Sequence, residues 1–337
     1  MAHAIPLVRA ISLLPALRWL ERQGLQSKEI LGNNGMAGAP YFDPMRPIPL
    51  LKAGALLRDI SARVGPDAPC RIVSDTGDLE LVQVGRVALG TTTPAEALGR
   101  ISAALPFFCS HELLNIEAGE TGCVVRHAYG ARFDAETLHL MSQYALAVLD
   151  RICAMSGAAA PRITRAALPP HPEFGVSHLE PWFSEGRVAA STSGALMATI
   201  PNTVALRHFP KFSRDRSAEL ARFGLKPLRT GGGFADSVRT LVGAMLDDGD
   251  GVPEIGQLAD SAGISARTAQ RWLKDEGTSF KAILDDARRE QATRLVSHGD
   301  EPISAVAGRL GYSKQSSLHR SMLRWTGQSP TAYRKSG

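Results

Sequence analysis

Residues 255–277, IGQLADSAGISARTAQRWLKDEG, and residues 303–326, ISAVAGRLGYSKQSSLHRSMLRWT, carry one pattern twice. In the first stretch Ile255, Leu258, Ala259 and Ala262 fall on one helical face, and Gly263 ends that helix. Ser265 then stands where an N-cap oxygen accepts an amide hydrogen bond, and the helix it opens closes at Gly277. In the second stretch Ala307, Gly311 and Ser313 match Ala259, Gly263 and Ser265 at an offset of 48. Arg320 and Met322 match Arg271 and Leu273 at an offset of 49, so the second turn is one residue longer. Its cap is open between Ser313 and Lys314.

A short helix, a tight glycine turn and a capped second helix make a helix-turn-helix, whose second helix enters the DNA major groove. Between the repeats, Phe280, Ile283, Leu284, Ala287, Gln291 and Leu295 mark the buried stripe of a connecting helix. About 18 helical residues span roughly 27 Å. With both units on one side of it, the two recognition helices would enter successive major-groove turns, about 34 Å apart.

On these residues, about 235–335 resemble the DNA-binding domain of AraC/XylS-family transcription regulators. The matching stretches are LADSAGISARTAQRWLKDEGTSF and RLGYSKQSSLHRSMLRWTGQSPTAYR. Ala269 departs from the larger apolar residue usual there, and Trp272 is the candidate to fill the space. Leu318 and Met322 replace the usual phenylalanines of the second helix. The resemblance implies base-edge contacts from Arg267, Gln270, Arg271, Gln315, Ser316 and Arg320.

The residue chemistry reads the same way. Arginine matches guanine O6 and N7 as a fork, and glutamine matches adenine N6 and N7. Thr268 and Lys274 suit phosphates, and Lys314 and His319 complete the DNA face. Arg320 has a competing internal use, an ion pair with Asp285 or Asp286. Trp325, Gly327, Pro330 and Tyr333 read as structural: a glycine stop, a proline helix start and an aromatic packed back on the module.

Upstream, Gly231–Gly233 precede a change to purely helical periodicity and read as a linker over 231–234. Residues 1–230 read as an α+β or α/β domain. The expected parts are a helix over 6–31, a loop over 32–49, a helix over 50–64, and a helix capped at Thr93 before Pro94 and Glu96. A hairpin of HELLNIEA and CVVRHAY and a long helix over 135–156 follow. The LL…R helix near 56–63, the hairpin after LPFFCSHE and the long helix resemble the sensor domain of AraC-type regulators related to ornithine-utilisation regulators. That resemblance implies an arabinose-binding-like, effector-sensing and dimerising domain over 1–230, ahead of an all-α double helix-turn-helix domain over 235–337.

Composition agrees with a folded chain of 337 residues, 44% hydrophobic and 21% charged. The net charge is +5, and residues 250–337 carry 13 Lys and Arg against 10 Asp and Glu. Such mild basicity permits a polyanion partner without establishing one. No apolar run reaches the ~18 residues of a membrane helix, and the start lacks signal-peptide layout, so a cytoplasmic location is expected. Cys70, Cys109, Cys123 and Cys153 form no CxxC pair and read as small hydrophobes, with no metal site expected.

Phe107, Phe108, His111, His127, His139, Tyr144, His178 and Trp182 are pocket candidates, each more readily a structural residue. Cys109 and His111 share a face if the segment is a strand. There is no P-loop, GxGxxG after a strand, HExxH or GxSxG. The expectation is a regulator that is not an enzyme and holds no cofactor. Its expected partners are double-stranded DNA, a small-molecule effector, a second copy as homodimer, and RNA polymerase. The alternative is a metabolite-processing enzyme domain fused to a regulatory DNA-binding module.

Overall fold

The structure is a computed structural model that describes residues 3–36, 41, 43–76, 90–183, 187–210, 227–228, 232–247, 252–298 and 300–336. Its internal contacts divide the chain into two units, Pro6–Thr230, and Gly231–Gly337 together with Met1–Ile5.

The larger unit opens with β1 (Leu7–Arg9), paired antiparallel with β2 (Pro47–Pro49). A 3-10 turn leads into α1 (Leu14–Arg22), which is followed by α2 (Ser27–Asn33). The single helix expected over 6–31 is therefore broken. Its first residues find a strand partner in the segment expected to be loop, and Gly24 at φ +70° turns the chain between α1 and α2.

Next come α3 (Leu50–Val64), α4 (Ala68–Asp75) and α5 (Pro94–Phe108). Thr93 caps α5 by accepting from the Glu96 amide, while Glu96 reaches back to the Thr92 N–H at 2.7 Å. The hairpin is β3 (Glu112–Ala118) and β4 (Gly122–Tyr129), and α6 (Ala135–Ala154) follows, capped by Asp134.

Three further strands, β5 (Arg165–Leu168), β6 (Val188–Ala190) and β7 (Leu196–Pro201), complete a sheet of order β3-β4-β7-β5-β6, in which only β5 and β6 run parallel. Single turns α7 (Glu180–Phe183) and α8 (Asn202–Ala205) close the unit. Leu56, Ile60, Leu98, Val125, Leu140 and Leu168 are buried in one core shared by the helices and the sheet.

The smaller unit is helical: α9 (Phe234–Asp247), α10 (Ile255–Ser261), α11 (Ala266–Asp275), α12 (Phe280–His298), α13 (Ile303–Arg309), α14 (Gln315–Thr326) and α15 (Pro330–Ser336). Ile283, Ala292 and Val296 bury the inner face of α12. Around its second half, Val306, Ala307, Leu310, Leu318 and Met322 form the core of the second repeat. The N-terminal arm belongs to this unit. Ile5 is buried and its N–H donates to Ser237 Oγ at 2.9 Å, and the His3 ring stacks 3.7 Å from that of Trp272.

Gly232 and Gly233 do more than relax the chain. A Cβ on Gly233 would lie 2.3 Å from Glu276 Oε1, and one on Gly232 1.8 Å from Asp236 Oδ2. The bare backbone lets Glu276 reach the start of α9, where its two oxygens accept from Phe234 N and Ala235 N, each at 2.8 Å. Gly231, the first residue of the expected linker, lies outside the described residues.

Candidate DNA-reading surface and internal cavity

Both repeats fold as helix, left-handed glycine, second helix. Glu254 and Gln257 form a capping box at α10, and Gly263 turns the chain at φ +66°. Ser265 accepts from Thr268 N to start α11. In the second repeat Gly311 has φ +73°, and Lys314 is the N-cap of α14 without a side-chain cap bond. The one-residue-longer turn therefore ends on a residue whose ammonium is left outside the cap.

Arg267, Gln270, Arg271 and Lys274 are exposed on α11, and its opposite face buries Ala269 and Leu273. Thr268 is half-buried, its hydroxyl 2.9 Å from Ser265 Oγ, so it serves the cap. Lys314, Gln315, Ser316, His319 and Arg320 are exposed on and before α14, opposite Leu318 and Met322. Trp272 packs edge-on against Phe234, with centroids 5.3 Å apart.

The distribution of ion pairs separates two kinds of cation. Arg289 pairs with Asp286, Arg294 with Asp247, Arg309 with Glu301, and Arg324 with Asp285. Arg334 donates to the carbonyls of Val296 and Glu301, and Arg288 donates to that of Leu310 while lying over the Tyr312 ring. Arg289 pairs within α12, and the other arginines tie separate segments together. Arg267, Arg271, Lys274 and Lys314 have no such partner among the described residues, and Arg320 makes only a long 3.4 Å bond to Ser317 Oγ among them.

The competing internal pair of Arg320 is thus not made, because Arg324 and the Trp325 indole N–H occupy Asp285. Asp285, expected as a candidate partner of Arg320, anchors Arg324 and Trp325 instead. Gly327 ends α14 at φ +73°, Pro330 starts α15, and Tyr333 packs on the second-repeat core.

The larger unit holds an internal cavity of about 170 Å³. Its walls are aliphatic side chains such as Ile11, Leu57, Ile101 and Val148, and Glu112, His127, Tyr129 and Tyr144 also face it. His127 Nε2 lies 2.7 Å from Glu112 Oε1. The register sets Glu112 opposite Tyr129 and Leu114 opposite His127, so alternate residues of both strands point to one face.

Of the sequence-derived pocket candidates, Phe108, His127 and Tyr144 line the cavity. Glu112 and Tyr129 were missed; the i, i+2 spacing of His127 and Tyr129 in the hairpin was the signal that could have found them. Phe107 is half-exposed, Trp182 donates to Asp67 Oδ2 at 3.2 Å, and the Nδ1 of His111 meets Ser110 Oγ at 2.7 Å.

His139 and His178 sit in a second histidine cluster with His171. His139 Nδ1–H donates to the Pro169 carbonyl at 2.7 Å, leaving Nε2 to accept from His178 Nε2 at 3.0 Å. Burial pushes the His139 imidazole down to about 4. Among the described residues no three His, Cys, Asp or Glu side chains are grouped to hold a metal ion. Burial raises all four thiols, Cys70 to about 12, which leaves them as protonated, poor nucleophiles. Cys109 is buried and bridges the backbone of Val8, while the His111 ring meets Ser110. Among the described residues no helix is long and apolar enough to cross a membrane.

Two short-turned helix pairs on a shared connecting helix, with unpaired cations on both second helices, define a double helix-turn-helix DNA-binding domain. Comparison with known proteins places it further. The family described as "Helix-turn-helix domain" matches residues 258–336, and the C-terminal unit is a domain of the AraC/XylS type. The chain is 37% identical over 87 residues to the HTH-type transcriptional regulator VqsM of Pseudomonas aeruginosa, covering 26% of this chain and 27% of that protein. It is 40% identical over 80 residues to the HTH-type transcriptional regulator VirS of Mycobacterium tuberculosis, covering 24% of each.

The ornithine utilization regulator of Pseudomonas aeruginosa is 31% identical over 103 residues, covering 31% of this chain and 30% of that protein. The chain thus spans between a quarter and a third of the length of these curated relatives. The crystal structure of the transcriptional regulator CdpR from Pseudomonas aeruginosa, 20% identical, overlaps 96% of this chain and 98% of that one at a TM-score of 0.44.

Proposed function

We propose that this protein is a cytoplasmic transcription regulator. Its domain over 235–337 binds double-stranded DNA by inserting α11 and α14 into successive major-groove turns, and its domain over 1–230 senses a small effector and dimerises. The carrying observation is the division of cations: Arg294, Arg309 and Arg324 pair with acids of other segments, while Arg267, Arg271 and Lys274 on α11, Lys314 just before α14 and Arg320 on it are exposed and form no ion pair among the described residues. The 19 residues of α12 span about 28 Å at 1.5 Å per residue, within reach of the ~34 Å groove repeat.

On this reading Arg267, Gln270, Arg271, Gln315, Ser316 and Arg320 read base edges. Lys274, Lys314 and His319 hold phosphates, with Thr268 supporting the start of α11. The cavity supports the effector half, since an apolar enclosure with a few convergent polar groups is the usual form of a small-molecule site. Effector control requires that the compound favour one of two arrangements of the regulator over the other. RNA polymerase becomes a partner at any promoter the protein activates. Nothing in the site favours catalysis: among the described residues the thiols are buried, and Ser110, whose Oγ lies 2.7 Å from His111 Nδ1, is itself buried and spent on the Leu7 amide.

Genome-wide footprinting of the purified full-length protein tests this. The expected result is a discrete two-part site with contacts one helical turn apart. Binding no tighter to any duplex than to random DNA at physiological ionic strength would overturn it.

A further inference from the structure

Resting on the effector-control reading above, we propose that the cavity takes a small apolar compound, one ring or a chain of similar bulk, whose uncharged hydroxyl or amide head hydrogen-bonds Glu112. Size comes first. The cavity measures about 170 Å³, and an engineered apolar cavity of roughly 150 Å³ admits benzene. Apart from Ser12 and the cluster of Glu112, His127, Tyr129 and Tyr144 the lining is apolar, so the bulk of the ligand must be apolar and its main polar group at one end.

That end has a definite donor and acceptor character. Glu112 supplies a carboxylate acceptor. Tyr129 and Tyr144 line the same cavity, and neither hydroxyl has a protein hydrogen-bond partner among the described residues. Buried tyrosine hydroxyls ordinarily find a partner. Burial, followed by the Glu112 charge, raises both phenols, so they remain O–H donors. The Cys109 thiol also lies within reach of Glu112 and is held protonated by burial and by that carboxylate.

An alcohol or amide satisfies this cluster in both directions, donating to Glu112 and accepting from a tyrosine. A carboxylate does not. Among the described residues no lysine or arginine lines the cavity, and the one imidazole there is bonded to Glu112. That bond is made at His127 Nε2, and its Nδ1 is buried without a partner. A second anion beside Glu112 would be desolvated and repelled with no counter-charge. A protonated amine can donate to Glu112 but has no lone pair to accept from the tyrosines.

The test is a matched series of benzyl alcohol, benzamide, benzylamine and benzoate, read by the thermal midpoint of the full-length protein. Benzyl alcohol and benzamide are expected to raise it, benzylamine less, and benzoate not at all. Glu112→Gln is expected to weaken benzyl alcohol binding at least tenfold and to let benzoate bind. Tyr144→Phe, a milder change that keeps the fold if Glu112→Gln does not, is expected to weaken it severalfold. Ala145→Phe, which fills the cavity, should abolish the shift.

Benzoate stabilising as well as benzyl alcohol, no compound shifting the midpoint, or a shift surviving Ala145→Phe would each overturn the proposal. A separate readout is affinity for the footprinted DNA site. Compounds that shift the midpoint but leave DNA affinity unchanged would refute effector control while leaving the ligand chemistry standing.

Discussion

Glu276 and Gly233 should behave as one unit. The two oxygens of Glu276 accept from the first two amides of α9 at 2.8 Å each. These are charge-assisted bonds at a helix N-terminus, where the unsatisfied N–H groups and the macrodipole both favour an anion. A cap is worth ~1 kcal/mol and a hydrogen bond to a charge about 1.5–3. Discounted for the exposure of this carboxylate, Glu276→Ala should cost about 2 kcal/mol.

Gly233→Ala should cost nearly as much by another route, because the new Cβ would sit 2.3 Å from Glu276 Oε1 and push the cap away. The two losses are the same loss. In a Glu276→Ala background, Gly233→Ala should be close to neutral, with its reduced unfolded-state freedom offsetting any residual cost. The expected coupling is therefore about 2 kcal/mol. Urea unfolding of the four full-length variants measures it. Amide hydrogen exchange at Phe234 and Ala235 should quicken about 30-fold in either single mutant, the same energy read locally. Additive losses, or unchanged exchange in Glu276→Ala, would refute the reasoning and leave Gly232 and Gly233 as a plain flexible linker.

Arg271→Ala should weaken binding to the footprinted site by ~1–3 kcal/mol and relax base preference nearby, whereas Lys274→Ala should weaken specific and random duplexes alike and reduce the salt slope; competition binding across salt concentrations distinguishes the two. Ile5→Ala should destabilise the DNA-binding unit by about 2 kcal/mol, since a buried side chain leaves a cavity, and urea unfolding should show the lower midpoint. The depressed His139 imidazole gives an acid limit: the unfolded chain binds a proton near 6.5 and the folded one only near 4. Stability is complete above about pH 6.5 and should fall by about 3 kcal/mol as pH drops to 4; His139→Gln should flatten that slope in pH-dependent denaturation.

The exposed face proposed to read DNA was legible before any coordinates because it is written in local chemistry. Ser265 as a cap, Gly263 and Gly311 as left-handed turns, and cations opposite Leu273 and Met322 each follow from periodicity within a dozen residues. The expected helix over 6–31 failed for a non-local reason. Leu7–Arg9 finds its hydrogen bonds in Pro47–Pro49, some forty residues away, and no periodicity in the segment itself announces that. Strands β5 to β7 escaped notice because they are short, and short apolar runs carry no decisive period.

The amino-acid sequence by itself determined that the C-terminal third folds as paired helix-turn-helix units and which side chains face outward. Only tertiary structure decided that Arg324 rather than Arg320 takes Asp285, that Glu276 caps α9, and that Glu112 meets His127 inside a cavity. Helical faces and caps are set by neighbours three or four residues apart. Ion pairs and pockets are set by which distant segments pack together, and that choice rests on the whole core.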